Sequence, residues 1–279
     1  MNKSDLHIVF FGEDAFSNVA LNSLIDNGYM VSLVVTPASD NLTYKRLENT
    51  CVKYDIPFYK VSKINSDEMC QYVKETDANF GVIVHLDRLL REPLLSLPKY
   101  GIINLHPALL PDYRGRTPQH WPIINREKET GITIHYIDET ADTGKIILQR
   151  HIPLNETMYV SDLQRIWMNE YRTIVVEAIE RIIAGQPLIE QHDLKGRYYD
   201  KLHLSQCELK NDMTVADAYA LVRGVSLPYN GAWYGDMIVY RAHIMQDNEE
   251  TKNPVIHFKD GDLVVDMYKY NQQNINGKG

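Results

Sequence analysis

Short apolar runs alternate with amphipathic stretches through the first half of the chain. Leu6–Phe11, Val31–Val35, Phe58–Val61, Phe80–Val84 and Gly101–Leu105 have the length and apolar content of buried strands. Between the first two, Asp14 or Ser17 is placed to cap a helix. Its Val19, Leu21, Leu24 and Ile25 provide an apolar face, and Gly28 ends it. Thr43–Tyr54 and Ser66–Glu75 read as further helices, and Arg91–Leu95 as a short one. Strands separated by helices of this length predict a parallel sheet with helices on both faces.

The pattern then changes. Ile132–Tyr136 and Ile146–Ile152 read as strands joined by the loop Asp138–Gly144. Ser161–Ala184 is the longest helical pattern, stopped at Gly185-Gln186-Pro187. Ile189–Asp212 is polar and irregular, and Val215–Val222 reads as one short helix. Short strands come next at Trp233–Tyr234, Met237–Ala242, Val255–Phe258 and Leu263–Met267, with a hairpin turn at Lys259-Asp260-Gly261. The polar tail Asn271–Gly279 is expected to fray. The expected organisation is an α/β domain over residues 1–188, a linker over 189–212 and a small, mainly β domain over 213–279.

Composition narrows the function. The 279 residues carry 29 basic against 37 acidic side chains, a net charge of −8. That argues against a polyanion as main partner, because nucleic-acid affinity comes largely from Lys and Arg neutralising phosphates. Three cysteines without metal-like or redox-like spacing suit free thiols in a reducing compartment. The ten histidines show no metal-ligand motif. No run is long enough for a membrane span or a signal segment, so a soluble, cytoplasmic protein is expected.

Ligands of an open α/β sheet bind beyond the C-terminal ends of its strands. The strand ending at Leu105 leads into His106-Pro107-Ala108-Leu109-Leu110-Pro111-Asp112-Tyr113-Arg114-Gly115-Arg116-Thr117-Pro118, a stiff loop carrying polar residues. Asn104 and His106 are two apart, so on a strand they share a face. A lone His is more often a satisfied core residue; Asn104 and the proline-rich loop reverse that preference. Read alone, Asp138–Gly144 is a solvated turn.

Asn104-Leu-His106-Pro-Ala-Leu-Leu-Pro111-Asp-Tyr113-Arg114-Gly115 closely resembles the signature loop of the folate-dependent formyltransferases. Gly131-Ile-Thr133-Ile-His135 through Asp142-Thr143-Gly144 is similar to that family's second block in order and spacing. Phe11-Gly12, with Phe16, Leu21, Leu24 and Gly28, fits its first strand–helix unit, and Pro228-Tyr229-Asn-Gly231-Ala232 looks like the start of its small C-terminal β domain. The resemblance covers roughly residues 6–245 and is most specific in the central third. It implies a Rossmann-like, doubly wound, mostly parallel sheet and 10-formyltetrahydrofolate as co-substrate, without a metal. It also implies catalytic Asn104, His106 and Asp142: an oxyanion donor, a proton carrier and a carboxylate beside it, with His106 or Asp142 as the proton acceptor. Folate contacts are implied at Leu86, Arg88, Leu90, Ile137, Asp138 and Asp142, and acceptor contacts at Pro107, Tyr113, Arg114, Arg116, Tyr229 and Trp233. Ala108 stands where many members carry Ser, so no hydroxyl role falls there. Asp87-Arg88 stands where relatives vary.

The acceptor amine is narrowed by charge. Glycinamide ribonucleotide transformylases carry a glycine-rich phosphate loop after the first strand; here that place reads Gly12-Glu13-Asp14-Ala15-Phe16. Methionyl-tRNA formyltransferases carry a basic loop after the second strand; here it reads Thr36-Pro37-Ala38-Ser39-Asp40-Asn41-Leu42, without Lys or Arg. From Met213 onward acidic residues outnumber basic ones. The chain is therefore most like the nucleotide-sugar N-formyltransferases, which resemble it in size and acidity. They act on amino sugars carried on a nucleoside diphosphate, often deoxythymidine diphosphate, for surface polysaccharide. The expected partners are small molecules, with neither nucleic acid nor membrane, in a homodimer. The alternatives are a methionyl-tRNA formyltransferase and a non-catalytic folate- or sugar-nucleotide-binding paralogue.

Overall fold

The structure, a computed structural model, describes every residue except 1, 39–41, 192–194 and 272–279. The expected tail thus lies almost wholly outside the described residues, as does the middle of the loop after the second strand. In chain order the strands and helices are β1 (His7–Gly12), α1 (Ala15–Asp26), β2 (Met30–Pro37), α2 (Lys45–Tyr54), β3 (Phe58–Val61), α3 (Asp67–Glu75), β4 (Phe80–Val84) and β5 (Ile102–His106). Next come β6 (Arg114–Gly115), α4 (Trp121–Ile124), β7 (Glu129–Tyr136), β8 (Ile146–Pro153), α5 (Val160–Glu170) and α6 (Ile174–Ile183). The chain continues through β9 (Tyr198–Tyr199), α7 (Val215–Val225), β10 (Ala232–Tyr234), β11 (Met237–Ile244), β12 (Val255–Phe258) and β13 (Gly261–Tyr270).

Two compact units result. The first comprises residues 1–114, 131–151 and 166–198; the second comprises 115–130, 152–165 and 199–279.

The first unit is built on a seven-stranded sheet of order β3-β2-β1-β4-β5-β7-β8. The pairs β2–β3, β1–β2, β1–β4 and β4–β5 are parallel, and β5–β7 is antiparallel. This is a doubly wound, Rossmann-like order in which the winding reverses beside β1, opening a crevice at the strand ends of β1 and β4. Val9, Phe11, Leu33, Val35, Ile83 and Ile102 face helix α3 through Met69, Cys70 and Val73. Local chemistry sets the helix starts. Asp14 accepts the Ser17 N–H at 2.9 Å to cap α1, and Ser66 accepts the Met69 N–H at 3.2 Å to cap α3.

The single helix expected over Ser161–Ala184 is two. After Glu170 the chain tightens: the Arg172 and Thr173 N–H groups bond three residues back, to Asn169 and Glu170, and the Ser23 hydroxyl donates to the Arg172 carbonyl. Apolar spacing continues across the break, which is why the pattern does not show it. Tyr171 at the break is fully buried and stacks edge-on against Phe16. The short helix expected over Arg91–Leu95 is a single 3₁₀ turn, Leu94–Ser96, after Pro93.

The second unit carries an antiparallel sheet of order β10-β11-β13-β12, with Val239, Ala242, Leu263 and Val265 packed on Ala218, Leu221 and Val222 of α7. The turn at Lys259–Gly261 joins β12 to β13 as expected. The stretch 189–212 takes up structure where it is described. Ile189 exchanges backbone hydrogen bonds with Ile146 in the first unit, and Cys207 and Leu209 are buried in the core of the second.

Candidate active site

Asn104 and His106 leave the end of β5, and its antiparallel partner β7 sets His135 opposite Asn104 and Thr133 opposite His106. Because alternate residues face the same way, these four side chains belong to one face. Thr133 anchors the loop that begins at Pro107. Its hydroxyl donates to the Ala108 carbonyl at 2.7 Å and accepts the Leu110 N–H at 3.1 Å. Gln149 donates to the Leu110 carbonyl at 2.7 Å, so the loop after β5 is pinned at two points. Ala108 is fully buried, and Pro107 is half-buried.

The hydrogen bonds assign the ring nitrogens. His135 is wholly buried, and its Nδ1 donates to the Tyr136 carbonyl at 2.8 Å. Its Nε2 therefore accepts from Asn104 Nδ2, at 3.2 Å. One hydrogen of the Asn104 amide is held in this way and the second remains to donate elsewhere. His106, 4% exposed, donates from Nε2 to the Tyr113 carbonyl at 2.9 Å, which leaves the lone pair on Nδ1. Asp142 Oδ1 lies 3.6 Å from His106 Nδ1 and 3.5 Å from His135 Nε2. These distances are too long for direct hydrogen bonds but short for charge interactions. Burial pushes the His106 pKa below its ordinary value, against the opposing pull of Asp142. Burial thus favours the neutral imidazole, with Nδ1 as its basic nitrogen, beside a carboxylate. The arrangement can take a proton and steady the cation that results.

Asp142 is placed by its loop. Asp138 Oδ1 accepts the Thr140 N–H at 3.0 Å and the Thr143 hydroxyl at 2.7 Å, tying the turn. Asp142 has a left-handed backbone, φ 57°. Gly144 is needed two residues later because a Cβ there would meet the Tyr136 carbonyl oxygen at 1.8 Å.

Residues expected to border the folate fall into two groups. Leu86, Leu90 and Ile137 join the apolar cluster that includes Ile83 and Ile102, with Leu86 and Ile137 half-exposed. Arg88 and Asp138 are the polar pair. Arg88 is exposed and donates to the Asp87 carbonyl at 2.7 Å, and Asp138 is exposed as well. Those expected to meet the acceptor are dispersed. Tyr113 is buried with φ 58°, giving its carbonyl to His106. Arg114 is buried and donates from Nη2 to Gln191 Oε1 at 2.9 Å. In the second unit Arg116 is exposed. Tyr229 is half-buried against the His120 ring and accepts from Gln164 Nε2 at 2.9 Å. Trp233 packs on that unit's core and donates from its indole nitrogen to the Leu204 carbonyl at 2.9 Å.

Sequence reasoning assigned no role to His135, Thr133 or Gln149. The hairpin register would have found the first two, since pairing Asn104 with the strand before Asp138 puts them opposite. It also passed over His85 at the end of β4. His85 sits between Asp14 Oδ2, at 2.8 Å, and the Tyr171 hydroxyl, at 2.9 Å. Among the described residues no cluster of His, Cys, Asp and Glu could hold a metal ion. No helix among them is long and apolar enough to cross a membrane.

A Rossmann-like sheet with an amide donor, an imidazole and a carboxylate at its strand ends has the groups that group transfer by proton transfer beside a developing oxyanion would need. The chain belongs to the formyl transferase family, whose model matches residues 6–179, and it is an N-formyltransferase. It is 30% identical over 284 residues to a methionyl-tRNA formyltransferase of Bacteroides fragilis, spanning 95% of this chain and 86% of that protein. Its fold matches WlaRD, a sugar 3N-formyl transferase solved in the presence of dTDP and 5-N-formyl-THF. The TM-score is 0.73 at 18% identity, over 93% of this chain and 96% of that one. It also matches the N-formyltransferase from Helicobacter canadensis in complex with folinic acid and dTDP-3-aminofucose. There the TM-score is 0.73 at 18% identity, over 95% of this chain and 100% of that one.

Proposed function

We propose that the chain transfers a formyl group from 10-formyltetrahydrofolate to the amino group of a deoxythymidine-diphosphate-linked amino sugar, in the cytoplasm, for surface polysaccharide. The observation that carries this reading is the charge. At −8 overall, with acids outnumbering bases from Met213 onward, the chain is a poor platform for tRNA but no obstacle to a small sugar nucleotide. The two sugar enzymes that share the fold over nearly their whole length support it.

The co-substrate supplies an electrophilic formyl carbon. Half-exposed Leu86 and Ile137, with exposed Asp138 beside them, suit a flat, hydrogen-bonding ring. His106 Nδ1 takes the proton that the attacking amine must lose. Asp142 stabilises the imidazolium so formed, and the second Asn104 amide hydrogen donates to the oxygen on which charge develops. Arg116 and Tyr229 are the candidate nucleotide contacts of the second unit. The active form is a homodimer, for which a strictly monomeric mass by light scattering would be the contrary result.

The test is incubation with 10-formyltetrahydrofolate and either a panel of amino-sugar nucleotides or charged initiator tRNA, followed by mass spectrometry. A gain of one formyl group on a sugar nucleotide is expected. Formylation of the tRNA alone would return the chain to the activity named for its Bacteroides relative.

A further inference from the structure

Resting on that reading of the site, we infer that Gln191, with Arg114, is a positioning residue that holds Asp142 in register with His106. Gln191 is 1% exposed, and its carboxamide is bonded at both ends. Nε2 donates to the Gly144 carbonyl at 2.6 Å and to the Asp142 carbonyl at 3.2 Å. Oε1 accepts from Arg114 Nη2 at 2.9 Å.

Arg114 is held in turn by the same stretch of chain. Its N–H donates to the Arg197 carbonyl at 3.0 Å, and its guanidinium carbon lies 5.7 Å from the centre of the Tyr198 ring. Gly196 permits the approach, since a Cβ there would meet the Pro111 carbonyl at 2.2 Å and Arg114 Nη1 at 3.0 Å.

The consequence lies in what the clamp joins. On one side is Tyr113, whose carbonyl fixes the His106 ring; on the other is Asp142, the carboxylate facing that ring. Both have left-handed backbones, at φ 58° and 57°. For residues other than glycine such conformations are strained and persist only where the surroundings impose them. Gln191 reaches both loops with one planar group. An amide suits the task because it offers an acceptor to the guanidinium and donors to two carbonyls. A carboxylate would satisfy only the first.

Two variants test this. Gln191→Leu removes all three bonds, whereas Gln191→Glu keeps an acceptor for Arg114 and sets an oxygen against the two carbonyls. Both are expected to lower kcat about 10- to 100-fold while KM for 10-formyltetrahydrofolate and for the sugar nucleotide changes less than about threefold, because misplacement near the reacting centre falls mainly on the chemical step. The second readout is independent of turnover: NMR titration of the His106 ring, which Asp142, His135 and His85 face. Displacement of Asp142 should move that titration to lower pH in Gln191→Leu, which adds no charge of its own.

Loss of thermal stability with kcat and the His106 titration unchanged in the folded fraction would overturn the inference, leaving Gln191 merely structural. Wild-type protein that releases no tetrahydrofolate with any acceptor would instead refute the proposed function. The titration would then decide the clamp by itself.

Discussion

Replacing Asp142 by Asn removes one negative charge while keeping the size of the side chain and the backbone carbonyl that Gln191 holds. Asp142 Oδ1 is 3.6 Å from His106 Nδ1. At an effective dielectric constant of about 20, unit charges at that distance attract by about 4–5 kcal/mol, an upper limit because the Asp142 side chain is partly exposed. Neighbouring opposite charges typically move a pKa by about 1–3 units, equivalent to about 1.4–4 kcal/mol. Burial already holds the His106 pKa low, and loss of the carboxylate removes the group that opposes this, so the pKa falls further. A base that is harder to protonate stabilises the proton-transfer transition state less. The expected result is a fall in kcat of about 10- to 1000-fold. The acid limb of the kcat/KM profile should move to lower pH by about 1–3 units. Tetrahydrofolate release measured by absorbance from about pH 5 to 9 reports both. Turnover within threefold of wild type, with the acid limb unmoved, would refute the role given to Asp142.

Asn104→Ala and His106→Ala should each lower kcat by about 100-fold or more and weaken folate binding far less, as expected of groups whose bonds strengthen in the transition state; isothermal titration with folinic acid checks the binding. Gly144→Ala places a Cβ 1.8 Å from the Tyr136 carbonyl, so the loop carrying Asp142 must shift; turnover should drop more than about tenfold with the fold retained by circular dichroism. The Asp14–His85 pair makes stability depend on pH. Burial opposes ionisation of Asp14, but His85 and the Ser17 hydrogen bonds together hold its carboxyl below the ordinary value; burial likewise opposes protonation of His85, but Asp14 with Glu13 holds its ring above the ordinary value. The Asp14 contribution is complete above its unfolded pKa, near 3.8, and is lost as the pH falls through the lower folded value. That of His85 is complete below about 6.5 and is lost as the pH rises through the higher folded value. Thermal unfolding should therefore show a benefit between about pH 4 and 6.5 that Asp14→Asn abolishes. An identical pH dependence in the variant would count against the pair.

The strand–helix alternation made the parallel sheet legible, and the two-residue spacing of Asn104 and His106 was enough to put both on one face. The features that stayed hidden have physical causes. The break at Tyr171–Thr173 arises from three-residue hydrogen bonds and a tertiary contact from Ser23, neither of which interrupts the apolar pattern. Gln191 carries no local signal, because an amide in a polar stretch looks solvated until the fold brings Arg114, Asp142 and Gly144 around it. Arg114, an implied acceptor contact from sequence, is buried by those same contacts. Trp233, an implied acceptor contact from sequence, packs on the core of its unit.

The antiparallel pairing of β5 with β7 couples chemistry to folding. Asn104 draws its orientation from His135 on the neighbouring strand, and that ring is oriented by a carbonyl of its own strand. A slip of one residue between the two strands would turn the relevant side chains to the opposite face. It would separate Asn104 from His135 and leave the Ala108 carbonyl without Thr133. If Asn104 has the role proposed for it, a misregistered molecule would keep much of its secondary structure and lose its turnover. For this enzyme, specific activity per mole of helix and sheet is therefore a measure of correct strand pairing, and refolding yields judged by circular dichroism alone will overstate the native fraction.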